Sequence, residues 1–240
     1  MRSRCGDVDI PYPFGIGDQQ CAINPFFHIN CTSINGAERP LKGPFELTKI
    51  YVPDAKAWMK MGISWQCGLE ARQSVWFQNF THTPFRFSNV DNKIVVVGCN
   101  TLAYMKSEPH IVGCYATCSV DSIPKNGSCT ATAGCCEAGV PEDLGYCEAY
   151  FNKNYNTSKG CGYIVVIEEK AFSYSTTYAD QTKTEFWDAY KGQVPFVMDW
   201  VITRDDACNV STTTNHSPYA CLSNDSHCVS STNGRGIRCK

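Results

Sequence analysis

The chain has 240 residues, of which 43% are apolar, and a formal net charge of −2. This length and composition permit one large domain or two modest ones with sizeable cores. The weak net charge and the absence of any two adjacent Lys or Arg residues argue against a nucleic-acid-binding protein, which needs a concentrated basic surface.

The small net charge is unevenly distributed along the chain. Residues 1–112 carry 11 Lys and Arg against 9 Asp and Glu, a balance of +2, whereas residues 113–240 carry 10 against 14, a balance of −4. If the protein binds an anionic ligand, we therefore expect the first part to bind it. A mixed, solvated surface explains the difference equally well.

Sixteen cysteines predict a disulfide framework and an oxidising compartment. Zinc is the competing interpretation, since Cys114, Cys118 and the vicinal Cys135 and Cys136 could be ligands. No paired CxxC motif or Cys/His knuckle is present, however, so we predict seven or eight disulfides, no structural metal and no cofactor.

Seven Asn-x-Ser/Thr sequons point to passage through a eukaryotic secretory route, and several are expected to carry glycan. They lie at Asn30, Asn79, Asn126, Asn156, Asn209, Asn215 and Asn224. Met1–Arg4 has no apolar segment, so we expect that a signal peptide has been removed or replaced. No run of 18 apolar residues is present, and a membrane-spanning segment is not expected within this sequence.

In chain order, the first part of the sequence predicts strands separated by turns. "FFHIN", "FELTKIYV", "FRFS" and "KIVVVGC" are short runs rich in Val, Ile, Phe and Tyr, bounded by Gly, Pro and Asn. The turn formers in "DNK" predict a hairpin between Phe85–Phe87 and Ile94–Val97. Residues 113–147 are rich in cysteine and poor in large apolar residues, so disulfides must stabilise them.

The last part predicts two more strands and one helix. "CGYIVVIEE" (161–169) has the composition of a strand, and the apolar "VPFVMDWVI" (194–202) predicts a strand that leads to Cys208. Thr182 and Glu185 have capping-box spacing, which predicts a short helix at 183–191. The fold class is therefore mainly β and disulfide-rich, with two β-rich lobes. The predicted domains are 1–112, 113–207 and 208–240.

An ordered series of motifs resembles the extracellular region of plant wall-associated receptor kinases. The series opens with "CGDVDIPYPFGIG" at 5–17. It continues with "ISWQC" at 63–67, "FRFS" at 85–88, "VVGCN" at 96–100, "GCYATC" at 113–118, "GCCEAGVP" at 134–141, "PFVMDWVI" at 195–202 and "YACLSNDSHCVSSTNGRGIRCK" at 219–240. The resemblance covers nearly the whole chain.

The resemblance implies three parts. They are a galacturonan-binding domain at 1–112, a cysteine-rich C-terminal domain of the family at 113–207, and a linker with the start of an epidermal-growth-factor-like module at 208–240. It also implies a location on the extracellular side of the plant plasma membrane, a role in wall sensing or disease resistance, and a longer protein with a membrane helix and a cytoplasmic Ser/Thr kinase. Kinase signatures are absent from this sequence, so this chain is not expected to be an enzyme.

The implied ligand, pectic polysaccharide or oligogalacturonide, is a polyanion that requires Arg or Lys along its binding site. "KIYVPDAKAWMK" offers Lys49, Lys56 and Lys60 beside Trp58. On a strand, Lys56, Trp58 and Lys60 would share a face, because side chains alternate with a period of two. The further candidates are Arg72 and Arg86. Solvated surface lysines are the alternative interpretation.

"IPYPFGIG" adds two aromatic candidates. Pro11 and Pro13 restrict the backbone around Tyr12, so this strip loses little entropy on ordering. Tyr12 and Phe14 could therefore stack on sugar rings. The alternative is that both side chains pack in the core beneath the Cys5 disulfide.

In the growth-factor-like module, the first cysteine pairs with the third and the second with the fourth. Matching positions makes Cys221 the first, Cys228 the second and Cys239 the third, which implies a Cys221–Cys239 disulfide and leaves Cys228 without its family partner. "HSPYAC" has no acidic or amide residue before Cys221, so no calcium is expected there.

Hydrolase activity is not indicated. The carboxylate pairs Glu168-Glu169 and Asp205-Asp206 are adjacent in sequence, and adjacent strand residues face opposite ways. The five histidines fall in no Ser-His-Asp or HExxH setting. The alternative function is a protein-recognition ectodomain that senses an apoplastic peptide, a pathogen effector or a co-receptor. Such an interface would present an apolar patch, for which "FWDAY" and Trp200 are the candidates.

Overall fold

A computed structural model describes residues 3–68, 72–107, 109–119, 121, 125–155, 160–180, 184–204 and 227–240. These residues form two compact units that are discontinuous in sequence. Unit 1 comprises Met1–Lys60, His82–Arg86 and Val197–Lys240, and unit 2 comprises Met61–Thr81 and Phe87–Phe196. The domain division at residues 112 and 207, which the family resemblance implies, stays a prediction. The compact units group residues that are close in space, and they do not test where the segments of a family begin and end.

Strands dominate the described part, which confirms the mainly β, disulfide-rich fold class. The first seven are β1 (Arg4–Cys5), β2 (Val8–Asp9), β3 (Gly15–Ile16), β4 (His28–Ile34), β5 (Ala37–Lys42), β6 (Phe45–Tyr51) and β7 (Lys56–Gly62). Next come β8 (Ser64–Cys67), β9 (Arg72–Ser74), β10 (Phe77–Asn79), β11 (Phe85–Phe87), β12 (Asn92–Val97), β13 (Thr101–Ser107) and β14 (His110–Ala116). The last are β15 (Cys135–Gly139), β16 (Tyr146–Phe151), β17 (Cys161–Glu168), β18 (Gln193–Trp200), β19 (Cys228–Ser230) and β20 (Ile237–Cys239).

Helical structure is short throughout the described residues. The α-helix α1 spans Glu185–Ala189, which is shorter than the predicted 183–191, and Thr184 is its N-cap. The Thr184 hydroxyl donates to an Asp188 carboxylate oxygen over 2.7 Å. Thr182 lies outside the described residues. Short 3-10 helices span Gln19–Cys21, Pro25–Phe27, Val52–Asp54, Glu169–Ala171 and Thr176–Ala179. No helix in the described ranges is long and apolar enough to span a bilayer.

A seven-stranded sheet has the order β11-β18-β7-β6-β5-β4-β3, in which β4 to β7 pair antiparallel. Phe45, Leu47, Ala57 and Met59 form its inner face in unit 1, and each is nearly fully buried. "FFHIN" forms a strand only from His28, because Pro25 and the Asn24 side chain, which accepts from the Phe26 N–H, start a 3-10 helix before it.

Unit 2 contains a four-stranded sheet, β10-β16-β13-β14, and a five-stranded sheet, β15-β12-β17-β8-β9. Ile94–Val97 and Ile164–Ile167 are almost fully buried, which suits their continuous apolar sequences. The predicted hairpin between Phe85–Phe87 and Ile94–Val97 is wrong, since β11 and β12 belong to different sheets. Instead, Ser88 closes a connecting turn, in which its hydroxyl donates to Asp91 and its carbonyl accepts from the Asn92 side chain.

Five disulfides join described cysteines to each other. They are Cys5–Cys31 in unit 1, and Cys67–Cys161, Cys99–Cys118, Cys114–Cys136 and Cys129–Cys135 in unit 2. Residues 113–136 have few large apolar side chains. They contain both cysteines of two of these bridges and one cysteine of a third, as expected for a segment stabilised by crosslinks. Cys21 and Cys147 are free thiols.

Candidate functional site

The main candidate site lies on the outer face of β6 and β7 in unit 1. We call it the lysine–tryptophan face and define it by Arg39, Glu46, Lys49, Tyr51, Lys56, Trp58 and Lys60. On β7, Ala57 and Met59 are buried while Lys56, Trp58 and Lys60 are partly exposed. The prediction that these three side chains share one face is therefore correct.

A β-bulge brings Lys49 to this face. Glu46 pairs with Lys60 and Leu47 with Met59, but Lys49 then pairs with Trp58, so Thr48 is the extra residue. Without the bulge, strict alternation would place Lys49 beside Leu47 on the inner face. The signal in the sequence is the spacing of three between Leu47 and Ile50, which breaks the period of two.

Lys49 and Trp58 form a cation–π pair. The Lys49 ammonium lies 4.6 Å from the centroid of the Trp58 ring and 5.7 Å from that of the Tyr51 ring. Lys49 is exposed and forms no ion pair within the described part of the chain, and Tyr51 is 43% exposed. This ammonium therefore lies over the indole and keeps a side open to solvent.

Lys56 and Lys60, in contrast, are bound to carboxylates of the protein. The Lys56 ammonium is 3.0 Å from an Asp199 oxygen. Lys60 is 3.3 Å from one Glu46 oxygen, and Arg39 is 2.8 Å from the other. Sequence reasoning did not identify these partners, because Asp199 is distant in sequence and carries no local signal. The four cations and two carboxylates leave this face with a charge of about +2.

Phe14 is a core residue, which corrects its prediction as a ligand-stacking residue. It is 2% exposed, and its ring centroid lies 5.0 Å from that of Phe27 and 5.5 Å from that of Trp200. Phe85 completes this aromatic cluster, which excludes a ligand from the Phe14 ring. Tyr12 is 43% exposed and stays a candidate.

Arg86 is also a buried structural residue, which corrects its prediction as a ligand-binding residue. It is 4% exposed, and its guanidinium donates to the backbone carbonyls of Thr83 and Phe85, so this side chain is unable to hold a carboxylate at the surface. Arg72 is exposed on β9 in unit 2 and stays a candidate. Arg72 and the lysine–tryptophan face belong to different units.

Trp200 does not contribute to the predicted apolar patch and neither does Phe186 of "FWDAY", whereas Trp187 of that segment is partly exposed. Trp200 is 2% exposed and Phe186 is fully buried. The exposed aromatic residues of unit 2 lie instead on the outer face of the four-stranded sheet. We call this the tyrosine face, formed by Phe77, Tyr104, Tyr115, Tyr146, Tyr150 and Tyr155.

One carboxylate organises the tyrosine face. Tyr150 and Tyr146 both donate to Glu148, over 2.7 and 2.8 Å. These two hydrogen bonds, that from Tyr150 first, hold the pKa of Glu148 below its usual value. The Tyr104 and Tyr150 rings stack with centroids 5.6 Å apart. Tyr104 faces Gly113 across the sheet, where an added Cβ would lie 2.7 Å from the Tyr104 Cβ.

The described sequons are accessible to solvent. Asn30, Asn79 and Asn126 are exposed, whereas Asn156, Asn209, Asn215 and Asn224 lie outside the described residues. Cys221 lies outside them too, so its pairing with Cys239 stays a prediction. Cys228 and Cys239 are register partners in the β19–β20 strand pair. Separately, each of them forms a disulfide, so Cys228 does not remain a free thiol.

Comparison with known proteins found similarity to one family. Residues 1–60 match the family described as wall-associated receptor kinase galacturonan-binding. The chain is 28% identical to wall-associated receptor kinase-like 4 of Arabidopsis thaliana over 74% of its own length and 26% of that protein. It is 26% identical to wall-associated receptor kinase 2 of the same plant over 100% of its own length and 32% of that protein. The chain thus spans about a quarter to a third of these relatives, and no solved structure matches it.

Proposed function

Since the chain is a relative of the wall-associated receptor kinases and its residues 1–60 match their galacturonan-binding family, we propose that it is the extracellular ligand-binding region of a plant cell-surface receptor kinase. Its ligand in this proposal is pectic polysaccharide or an oligogalacturonide, and its role is wall sensing or disease resistance. The membrane helix and the kinase belong to the longer protein.

The position of Lys49 is the observation that supports this proposal most directly. Its ammonium is held over the Trp58 indole and keeps a side open to solvent. A galacturonate carboxylate accepts a hydrogen bond from this ammonium, while the apolar face of the same sugar ring lies against Tyr51. Trp58 then positions the lysine, and Tyr51 contacts the sugar.

Lys56 and Lys60 have a smaller role in this site. Because each already pairs with a carboxylate, binding of a uronate to either ammonium has to compete with Asp199 or Glu46. Their contribution is the residual positive field of the lysine–tryptophan face, which attracts a polyanion and is screened by salt. We therefore expect weak, salt-sensitive binding.

Titration calorimetry with a homogeneous oligogalacturonide at two salt concentrations tests the proposal. We expect measurable binding at low salt and weaker binding at high salt, and no binding of a neutral oligogalactan of the same length. Absence of oligogalacturonide binding at low salt would contradict the proposal for this chain.

The tyrosine face supports a second function, recognition of an apoplastic protein or a co-receptor. Tyrosine is enriched in protein interfaces because its ring contributes a large contact area at a small entropic cost. Lys106 and Glu148 are paired positions on this face, so its central charges balance, which suits a polyanion poorly. If the calorimetry fails, this face is the surface to test.

A further inference from the structure

Unit 2 contains an apolar cavity that is separate from both faces described above. Its volume is about 270 Å³, and its lining residues are Trp65, Cys67, Tyr163, Thr184 and Trp187. Trp65 and Tyr163 are directly paired across β8 and β17, and Cys67 forms a disulfide with Cys161 on the same two strands. Paired residues on adjacent strands project to the same side of a sheet, so these three side chains form one wall.

Helix α1 forms the opposite wall. Phe186 packs onto Tyr163 with ring centroids 5.3 Å apart and is fully buried, which fixes the helix against the sheet. Trp187 follows Phe186 and lines the cavity. Gly192 has a φ of +75°, and a Cβ there would lie 2.7 Å from the Trp187 ring, so only glycine leaves room for the indole. The cavity is therefore preformed.

The lining residues offer one available polar group. Tyr163 is 3% exposed as a residue. Its hydroxyl forms no hydrogen bond within the described part of the chain, but the hydroxyl oxygen is not among the fully buried polar atoms that lack a partner, so it keeps some contact with solvent. The Thr184 hydroxyl already donates to Asp188. A hydroxyl that contacts solvent in an apolar cavity can exchange this contact for a hydrogen bond to an acceptor of a bound molecule.

We propose that this cavity binds a small, neutral aromatic molecule that carries one hydrogen-bond-accepting oxygen, to which the Tyr163 hydroxyl donates. Two indoles and a phenol ring provide the aromatic contacts, and the volume suits one or two rings, since an apolar cavity of about 150 Å³ is enough for benzene.

The chemistry of the lining disfavours two other classes of ligand. A sugar ring would bury several hydroxyls against one available donor, which leaves most of them without partners. An anion would meet no cation among the lining residues and would lie near Asp188, so it would need Arg72 on β9, which pairs with Cys67, to hold it. Burial and, after it, the Asp188 charge raise the pKa of Tyr163 to about 12, so its hydroxyl remains a donor at physiological pH.

Three probes of similar shape test the proposal on the whole chain: acetophenone, which has a carbonyl acceptor, ethylbenzene, which lacks one, and benzoate, which is an anion. Saturation-transfer NMR should detect acetophenone at millimolar concentration, with smaller signals for ethylbenzene and none for benzoate. Tyr163→Phe keeps the ring and removes the hydroxyl, and should weaken acetophenone binding by roughly 2- to 12-fold without changing ethylbenzene binding.

Tyr190→Phe is the matched control, because the Tyr190 hydroxyl donates to the Ala171 carbonyl and does not line the cavity. It should leave the binding of all three probes unchanged. The proposal is overturned if the wild type binds no acetophenone, if benzoate binds as well as acetophenone, or if Tyr163→Phe keeps the wild-type affinity. Circular dichroism of each variant checks that the fold is retained.

Discussion

The Lys56 ammonium lies 3.0 Å from the Asp199 carboxylate, and the two residues are 143 positions apart in sequence. Both side chains are only 16% exposed. The second Asp199 oxygen accepts from the Asn233 side chain over 2.8 Å. This ion pair joins β7 to β18 and to the segment before β20, so Lys56 contributes to the structure of unit 1 more than to a ligand site.

Replacing Lys56 with Met should destabilise unit 1, because it leaves the largely buried Asp199 carboxylate without its cation. We expect a loss of about 1–3 kcal/mol in the free energy of unfolding, measured by urea denaturation. Lys60→Met, at a more exposed pair, should cost less than about 1 kcal/mol. Equal effects of the two substitutions would contradict this assignment.

Replacing Lys49 with Met should weaken oligogalacturonide binding without changing stability much. An exposed charge contact contributes about 0.2–1 kcal/mol, so calorimetry should show a decrease of roughly 1.5- to 5-fold. The variant should also depend less on salt than the wild type. Lys125→Met, an exposed lysine in unit 2, is the control. If both variants bind as the wild type does, the lysine–tryptophan face is not the site.

The two free thiols of the described residues, Cys21 and Cys147, should differ in reactivity. Under native conditions, Cys21 is half-buried and should react with an alkylating reagent, whereas Cys147 is 1% exposed and should react only after unfolding. Burial raises the pKa of Cys147 to about 12, which removes its reactive thiolate. Peptide mapping after alkylation with and without guanidinium measures both. Rapid native labelling of Cys147 would show that its site opens.

Gly113→Ala should destabilise unit 2, because the new Cβ would lie 2.2 Å from the Ala103 carbonyl oxygen and 2.4 Å from the Tyr104 Cα. Such overpacking costs about 1–3 kcal/mol. Gly139→Ala is a matched control on β15, the next strand in chain order, since an added Cβ there has open space. It should change the stability by less than about 0.5 kcal/mol. Thermal unfolding of the two variants compares them directly.

Acidification should weaken the two hydrogen bonds that Glu148 accepts on the tyrosine face. The folded-state pKa of Glu148 is lowered, so its two hydrogen bonds stabilise the folded state above the unfolded-state pKa, and this contribution is lost as the pH falls through the folded-state pKa. Carbon-13 NMR titration of the Glu148 carboxyl should therefore give a midpoint below 4.5, the ordinary value. The double variant Tyr146→Phe and Tyr150→Phe should return the midpoint towards that value. A midpoint unchanged by this double variant would exclude the two phenols as the cause.

The strands with strong apolar patterns were predictable from sequence, and the residues that depend on distant contacts were not. The continuous apolar runs identify β12 and β17 as strands, and the alternation at β7 identifies the exposed side of that strand. The sequence does not specify which strands pair, so β11 and β12 resembled a hairpin. Phe14 and Arg86 resembled ligand-binding residues because aromatic and guanidinium groups suit both a site and a core, and only Trp200, Phe27 and the Thr83 carbonyl decide between these roles.

The aromatic cluster of unit 1 has a consequence for how the protein is made. Phe14 and Phe27 leave the ribosome early and Phe85 follows, but Trp200, on which both Phe14 and Phe27 pack, is synthesised only after the whole of unit 2. At about 5–20 residues per second, roughly 7–27 s separate residue 60 from residue 197. During this time the first strands have an incomplete core and expose aromatic surface to the folding machinery of the cell. A fragment that stops at residue 60 would remain permanently in that state.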